Sequence, residues 1–443
     1  MFKKALLNRM GISRKTAAVN VVLVANAFIW YFYVFNFLME VISEVGFSYY
    51  EVLTIWGTNI IGIATSAILG AALIDRFERQ TRFLFYWTLV GVILSLTPIS
   101  LMGATFPIFI LISTVLGVYF GLGMPICMGY YAATTETRNR SRISGITFFL
   151  IYIGFFLLSS MGVKDITLNA LLLSTWRASG LAMLILSKPN EIQISEKSRV
   201  SYRHVISNKS FLLYFIPWCM FSLVNYLAVP INNRFFPEEL IRYSTIVEGI
   251  LGAAFAVVSG FLADTFGRKR LAVAAFTFLG LGYAILGLFP GEIIGLWFYT
   301  IVDGVAWGAL YTIFLITIWG DLAQEQSSEK YYAIGSLPFL FSIFMRLSIG
   351  AYVAEKISES AVFSFAAFFL FLAVLPLIYA PETLPEKTMK DRELKKYIEK
   401  AQKEARKTQK KEDENTPKQN VDPEIESGGE NFEEKLKEVE KHY

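Results

Sequence analysis

The sequence predicts an all-α integral membrane protein with twelve transmembrane helices in two pseudo-symmetric six-helix bundles. Of the 443 residues, 54% are hydrophobic and only 18% are charged, a lower charged fraction than soluble domains usually have. Apolar runs of about 20 residues, the length that crosses a bilayer, recur along most of the chain. Basic residues gather in alternate loops between these runs, which is typical of a multi-pass membrane protein.

We number the predicted helices α1 to α12 in chain order. They cover residues 17–40, 50–74, 82–102, 106–130, 142–162, 167–187, 210–230, 241–263, 270–289, 293–319, 332–353 and 360–380. The basic start, Met1 to Lys15, resembles the beginning of a signal peptide. The apolar run behind it is too long for a cleaved segment, so we expect a retained first helix.

The distribution of Lys and Arg predicts which loops face the cytosol. The start of the chain, segment 188–209 and the loops after α2, α4, α8 and α10 hold most of the basic residues near the membrane. The alternate loops hold only four, namely Lys164, Arg234, Arg242 and Lys356. By the positive-inside rule we expect a plasma-membrane protein whose termini are both cytoplasmic.

A polar break in the middle of the chain separates two sets of six predicted helices. We therefore predict four regions: an N-terminal bundle at 1–187, a cytoplasmic linker at 188–209, a C-terminal bundle at 210–380 and a charged cytoplasmic tail at 381–443. The tail is rich in Lys and Glu, a composition that favours disorder over a packed core. Two parallel halves form the internal repeat of many secondary transporters.

A charged turn occurs at the end of α8 and again, more faintly, at the end of α2. The clear copy reads Gly260-Phe261-Leu262-Ala263-Asp264-Thr265-Phe266-Gly267-Arg268-Lys269-Arg270. The fainter copy reads Asp75-Arg76-Phe77-Glu78-Arg79, with Ala71 and Glu78 at the glycine positions. This turn resembles the signature loop of the major facilitator superfamily, a family of solute transporters. The resemblance implies gating roles for Asp75, Arg76, Arg79, Gly260, Asp264, Gly267 and Arg268, and for Arg138 and Arg142 in the loop after α4.

The resemblance also implies where the two signature acids lie. In this family each acid sits beside the start of a helix in the other half. Asp264 is then expected near α5, around Arg142 to Gly145, and Asp75 near α11, around Tyr331 to Gly335. A carboxylate at a helix N-terminus is stabilised by the helix dipole, so both acids would favour the state closed to the cytosol.

Four charged residues fall inside predicted membrane helices, where charge is costly and is a functional hypothesis by default. They are Arg177 on α6, Glu248 on α8, Asp303 on α10 and Arg346 on α11. Their expected counterparts in the other half are uncharged, with Asn59 matching Glu248 and Ser113 matching Asp303. An ion pair between Glu248 and Arg346 that holds the second half together is an equal alternative to a functional role. Asp303 is the stronger candidate for substrate binding or coupling, because the resemblance places α10 among the cavity-lining helices.

The resemblance names α1, α4, α7 and α10 as the helices around the cavity. Each carries a polar or aromatic stripe at helical spacing, and that of α4 consists of Ser113, Gly117 and Gly121. Rings and amides suit a polyhydroxyl or amphipathic solute, although single aromatic residues more often only pack between helices. The stripe residues are Asn26, Trp30 and Tyr33 on α1, Trp218, Ser222 and Asn225 on α7, and Tyr299, Trp307 and Tyr311 on α10.

Two further features bear on substrate and coupling. Pro381-Glu382-Thr383 resembles the P-E-[ST] element that closes each half in the sugar-porter branch. Proton-coupled relatives often carry an arginine where Ser113 stands, and α1 has no central acid. Any proton coupling would therefore have to use Asp303 or Glu248.

The sequence thus predicts a secondary transporter that moves a small organic solute, sugar-like or another metabolite, by alternating access. A receptor or scaffold built on a transporter fold is the alternative. The chain contains no Walker-type phosphate loop and no Ser-His-Asp or His-Glu-x-x-His arrangement, so we expect neither ATP-driven transport nor enzyme activity. Two cysteines and two histidines give no basis for a metal site. We expect a monomer in the lipid bilayer, with no cofactor, no nucleic-acid partner, and a small solute and protons as the candidate ligands.

Overall fold

The computed structural model of the protein describes residues 14–74, 79–161, 163–189, 200–324 and 326–385. The side chains of residues 14, 225–229, 351, 354 and 359 are not included. Parts of three predicted regions therefore lie outside the described residues. These parts are the basic start up to residue 13, residues 190–199 of the linker, and the tail from residue 386. Asp75 and Arg76 of the fainter signature copy also lie outside them.

The described chain is almost entirely helical and contains no β-strand in these residues. Eleven described helices are long and apolar enough to cross a membrane, and α7 contains the shorter apolar stretch Lys209–Val224. The predicted all-α membrane class is confirmed. The helices are α1 (Arg14–Val45), α2 (Tyr49–Leu73), α3 (Gln80–Leu94), α4 (Phe106–Thr134), α5 (Arg140–Ser160), α6 (Ile166–Ser187), α7 (Lys209–Phe235), α8 (Glu238–Phe266), α9 (Arg268–Leu288), α10 (Ile293–Tyr311 and Ile318–Ala323), α11 (Glu329–Gly335 and Leu337–Lys356) and α12 (Glu359–Tyr379).

Several boundaries differ from the prediction. The helix predicted at 82–102 ends at Leu94 and continues as a 3₁₀ turn, Thr97–Leu101, which contains Pro98. The two parts of α10 are joined by a π-helical turn, Thr312–Thr317, a feature often found near functional sites. The single helix predicted at 332–353 is two segments, and the second begins with a proline in its first turn.

Local capping fixes where several helices begin. Ser48 and Glu51 form a capping box at the start of α2, in which each side chain binds the backbone N–H of the other residue. Asp165 accepts a hydrogen bond from the N–H of Leu168 at the start of α6. Asn208 accepts hydrogen bonds from the first N–H groups of α7. These caps satisfy N–H groups that a helix cannot satisfy by itself.

Small residues let two helix pairs approach backbone to backbone, and we call these contacts the α2/α4 seam and the α8/α10 seam. A Cβ at Gly117 or Gly121 would lie 2.7 Å from the carbonyl oxygen of Asn59 or 2.3 Å from that of Ile63. In the second seam, a Cβ at Gly304 or Gly308 would lie 2.9 Å or 2.7 Å from the carbonyl oxygens of Glu248 and Gly252, respectively. A side chain at any of these glycines would force the helices apart.

Contacts also join the two predicted halves. On α5 and α8, a Cβ at Gly145 would lie 2.3 Å from the carbonyl oxygen of Ala256, and one at Gly260 would lie 2.4 Å from that of Ser141. On α2 and α11, the Tyr49 hydroxyl donates a hydrogen bond to the carbonyl of Ser348. The glycine predicted to begin the signature loop, Gly260, thus permits a close helix crossing.

Candidate functional site

A cavity of about 60 Å³ lies between helices of the two predicted halves. It is bordered by α1, α2 and α4 on one side and by the end of α10 and the start of α11 on the other. Apolar and aromatic side chains dominate its wall. The lining residues are Phe28, Tyr31, Phe32, Ile63, Ala67, Phe120, Gly121, Met124, Pro125, Met128, Leu315, Trp319, Tyr332, Ser336, Phe339 and Leu340.

The predicted stripe of α1 contacts other helices of its own half. The Asn26 amide donates to the carbonyl of Trp176 on α6 at 2.7 Å. The Trp30 indole donates to the Ser95 hydroxyl at 2.7 Å, and the Tyr33 hydroxyl donates to the Asn169 side chain at 2.5 Å. None of the three lines the cavity described above. A neighbouring face of α1, with Phe28, Tyr31 and Phe32, lines it instead.

The stripes of α7 and α10 meet each other through their rings. Trp218 is fully buried, donates to the carbonyl of Gly335 at 3.0 Å and stacks on Phe314 with ring centroids 5.2 Å apart. Tyr311 packs edge-on against Trp307, with centroids 4.3 Å apart. Ser222 is fully buried, and the side chain of Asn225 is among those that are not described.

The structure brings two of the predicted intramembrane acids together. The carboxyl groups of Glu248 on α8 and Asp303 on α10 are neighbours beside the α8/α10 seam. The Trp307 indole donates to the Asp303 carboxylate at 2.9 Å, and the Tyr299 hydroxyl also contacts this carboxylate. Asp303 is only 2% exposed. Because two carboxylates repel at this distance, the arrangement is suited to hold a proton between them.

Arg177, the third predicted intramembrane charge, is fully buried within the first half. Its guanidinium lies over the Trp87 ring, 4.3 Å from the centroid, donates from Nη1 to Asn26 Oδ1 at 2.7 Å and donates from Nε to the Tyr119 hydroxyl at 2.9 Å. Among these contacts the Arg177 guanidinium interacts with an aromatic ring and with neutral oxygen acceptors, and not with a carboxylate. Arg346, the fourth charge, is half-buried on α11.

A buried charge cluster connects α5 to α8 at the end of the molecule where the signature loop lies. Asp264 is fully buried and accepts hydrogen bonds from the backbone N–H groups of Ser141 at 3.3 Å and Arg142 at 3.0 Å. Its carboxylate lies 3.0 Å from Arg268 Nη2 and 3.4 Å from Arg142 Nε. The acid thus sits on the first turn of α5, beside two of its first N–H groups and two guanidinium groups.

A second acid, Asp321 at the end of α10, completes the cluster. Arg140 forms a buried ion pair with it, and Arg268 Nε lies 3.0 Å from its Oδ2. The Thr383 hydroxyl donates to the same oxygen at 3.1 Å. Together, Asp264, Asp321, Arg140, Arg142 and Arg268 form what we call the end cluster.

The turn at Gly267 is contacted by Glu382 of the Pro381-Glu382-Thr383 element, which resembles a sugar-porter motif. Gly267 has φ +105°, a conformation that side chains disfavour. The Glu382 carboxylate accepts from the N–H of Arg268 at 2.9 Å and from that of Lys269 at 3.2 Å. It therefore caps α9 directly after the turn.

The remaining predicted gating residues lie apart from the end cluster. Arg138 forms an exposed ion pair with Glu136 at 2.8 Å, which contributes little to stability. Arg79 precedes α3 and is exposed. Near the start of α11, the Gln80 side chain donates to Glu329, which is buried.

Sequence reasoning missed Asp321 as a member of the cluster. Its signal is present, because Asp321 is an acid at the end of a long apolar run and directly before a polar segment. Arg140 was not among the predicted site residues, and Glu382 and Thr383 were noted only as part of a motif.

Solved transporters share this arrangement of helices. The human organic anion transporter MFSD10 (TETRAN) aligns with 82% of this chain and 99% of its own, at a TM-score of 0.60 and 14% identity. The proton:xylose symporter XylE aligns with 83% of this chain and 96% of its own, at a TM-score of 0.62 and 15% identity. The chain has the major facilitator fold. A bacterial homologue of the iron transporter ferroportin shares this fold, with 82% of this chain and 98% of its own aligned, a TM-score of 0.62 and 14% identity.

Sequence comparisons reach only part of this chain. No family model matches it. A segment covering 40% of the chain is 23% identical to the Hippocampus abundant transcript 1 proteins of Mus musculus and Homo sapiens, over 36% of their length. The Hippocampus abundant transcript-like protein 1 of Bos taurus is also 23% identical, over 35% of its length. The chain thus matches about a third of the length of these curated relatives.

Proposed function

We propose that this protein is a secondary transporter that moves a small organic solute across a membrane by alternating access. The observation that carries the proposal is the cavity between the two predicted halves, to which helices of both contribute. In alternating access the halves rock around such a site, which opens to one side of the membrane at a time. The three similar solved structures, all of proteins named as transporters or as a transporter homologue, support the same function.

The end cluster supplies the gate on one side. It links α5 of the first half to α8, α9 and α10 of the second through buried ion pairs. Removing one partner of a buried ion pair costs about 3–5 kcal/mol, because the other charge is left uncompensated. The closed end therefore opens only when these contacts are exchanged for water, and the cluster stabilises the closed state.

The pair of Glu248 and Asp303 supports proton coupling. One proton bound by this pair of neighbouring carboxyl groups relieves their mutual repulsion, and its loss restores repulsion across the α8/α10 seam. Protonation and the packing of α8 against α10 are therefore linked, which lets a proton gradient bias the movement of these helices.

Transport by purified protein in proteoliposomes tests the function. A panel of labelled solutes is offered with and without a pH gradient, and empty liposomes serve as the control. Saturable uptake that rises with the pH gradient is the expected result. Saturable binding of a solute without any movement would contradict the proposal and favour the receptor or scaffold.

We also propose a cytosolic location for both termini and for the linker. Single cysteines that replace Lys197 and Arg234, in a background with Cys127→Ala and Cys219→Ala, should react with impermeant reagents from opposite sides of the membrane. Labelling of both from one side would overturn this topology.

A further inference from the structure

We propose that the cavity takes an uncharged, largely apolar aromatic solute rather than a sugar or an organic ion. This inference rests on the proposed transport function and narrows its substrate class. The described residues that line the cavity include no Asp, Glu, Lys, Arg, His, Asn or Gln. A buried ionic ligand needs an opposite charge, and a sugar needs several hydrogen-bonding groups to replace its lost water.

Two of the three hydroxyl groups of the wall, which belong to Tyr31, Tyr332 and Ser336, already donate to the protein backbone. The Tyr332 hydroxyl donates to the carbonyl of Ile316 at 2.5 Å. The Ser336 hydroxyl donates to the carbonyl of Ala333 at 3.0 Å. Their donors are thus directed to the backbone, and a polyhydroxyl ligand would lose hydrogen bonds on entering.

The rings of the wall fit a flat apolar ligand. Tyr31 stacks on Phe120 at 4.0 Å with an interplanar angle of 11°, and Phe28 meets Phe120 edge-on at 6.3 Å. Met124 and Met128 add flexible, polarisable side chains, which adapt to irregular apolar shapes.

The charged groups of the membrane interior have partners elsewhere. Arg177 is held by Asn26, Tyr119 and Trp87, and Asp303 by Glu248 and Trp307. None of these residues lines the cavity. The ligand site and the acid pair are therefore separate, so a neutral ligand can bind without neutralising either charge.

Binding of tritiated 2-naphthalenemethanol, a neutral aromatic alcohol, tests this inference. The protein is purified into nanodiscs, and binding to empty nanodiscs is subtracted. Saturable binding that excess D-xylose does not displace is expected. Ala67→Leu, which adds bulk to the cavity wall, should weaken binding roughly tenfold. Ala72→Leu makes the same change on an exposed face of α2 and should leave binding unchanged.

A second cavity variant keeps the test valid if Ala67→Leu misfolds. Phe120→Leu removes the ring that stacks on Tyr31 and should also weaken binding, while size-exclusion chromatography reports whether either variant is folded. Absence of saturable binding, equal affinity in both cavity variants and wild type, or displacement by D-xylose would overturn the inference.

The two proposals fail differently. Saturable binding of the naphthalene probe without uptake of any solute by proteoliposomes would leave the ligand class standing and refute transport. Uptake of a sugar or an organic ion, with no binding of the probe, would refute the ligand class and leave transport standing.

Discussion

The α2/α4 and α8/α10 seams have the same backbone packing and different polar side chains. In the α2/α4 seam, the amide of Asn59 donates to the carbonyl of Ser113 at 2.6 Å, and the seam is neutral there. In the α8/α10 seam, Glu248 takes the place of Asn59. Its carbonyl oxygen meets Gly304, and its carboxyl lies beside that of Asp303. Since the close packing forms without acids in one half, the acids of the other half are not required for packing.

The glycine contacts also correct the expected equivalence of α4 and α10. Gly117 meets the carbonyl of Asn59 as Gly304 meets that of Glu248. Leu116 directly precedes Gly117, as Asp303 directly precedes Gly304. The residue equivalent to Asp303 is therefore Leu116, not Ser113. The predicted counterpart is thus shifted by three residues, about one turn. The conclusion that the charge has no equivalent in the first half still holds.

The largest effect is expected from neutralising the acid pair. Asp303→Asn removes one carboxyl of the proposed proton-sharing pair, so accumulation driven by a pH gradient should fall to that of a passive carrier, while exchange of solute continues. Proteoliposome uptake measures both. Asp165→Asn, at an exposed helix cap, is the control and should accumulate solute normally. Accumulation by Asp303→Asn at the wild-type level under a pH gradient would show that the acids of the α8/α10 seam do not couple transport to protons.

The next effect concerns the ends of α2 and α8, where the two signature copies differ. Asp264→Asn breaks a buried ion pair, a loss of about 3–5 kcal/mol from the closed state. In a background with Cys127→Ala and Cys219→Ala, Ser144→Cys, buried one turn along α5, should become more reactive to a maleimide. Arg138→Gln, which breaks only an exposed pair, is the matched control. Unchanged labelling in Asp264→Asn would remove the end cluster as a gate.

A smaller effect tests the shared packing itself. Gly121→Val and Gly308→Val each place a side chain against a backbone carbonyl of the neighbouring helix, and overpacking costs about 1–3 kcal/mol. Both variants should melt at a lower temperature in a thermal-shift assay. Gly249→Val faces open space on α8 and should melt like the wild type. If only one seam were sensitive, the two seams would not be equivalent.

The smallest effect is expected at Asn59. Its Nδ2 has a partner, whereas its Oδ1 is buried without one, so Asn59→Leu exchanges one hydrogen bond for the removal of an unsatisfied oxygen. The net change should be below about 1 kcal/mol. Melting temperature and gradient-driven accumulation should both stay close to wild type. A loss of accumulation would show that coupling involves both halves.

Some of the candidate site could be read from the sequence because its residues break a strong pattern. A charge in an apolar run is conspicuous, so Arg177, Glu248 and Asp303 were identified as unusual. The signature loop placed Asp264 near the start of α5, and the hydrogen bond from the Arg142 N–H lies there. The sequence did not predict which of these side chains lie together. An ion pair between Glu248 and Arg346 was considered, and the structure places the Glu248 carboxyl beside Asp303.

The apolar length of the helices, their number and the membrane environment were determined by the sequence, because the bilayer fixes how long an apolar run must be. Which face of each helix meets the cavity was decided only by tertiary structure. Helices in a membrane are apolar all round, so periodicity does not separate Trp30, which packs on Ser95, from Tyr31, which lines the cavity. That choice depends on close contacts such as Gly121 against Ile63, which set how the helices rotate and how near they approach.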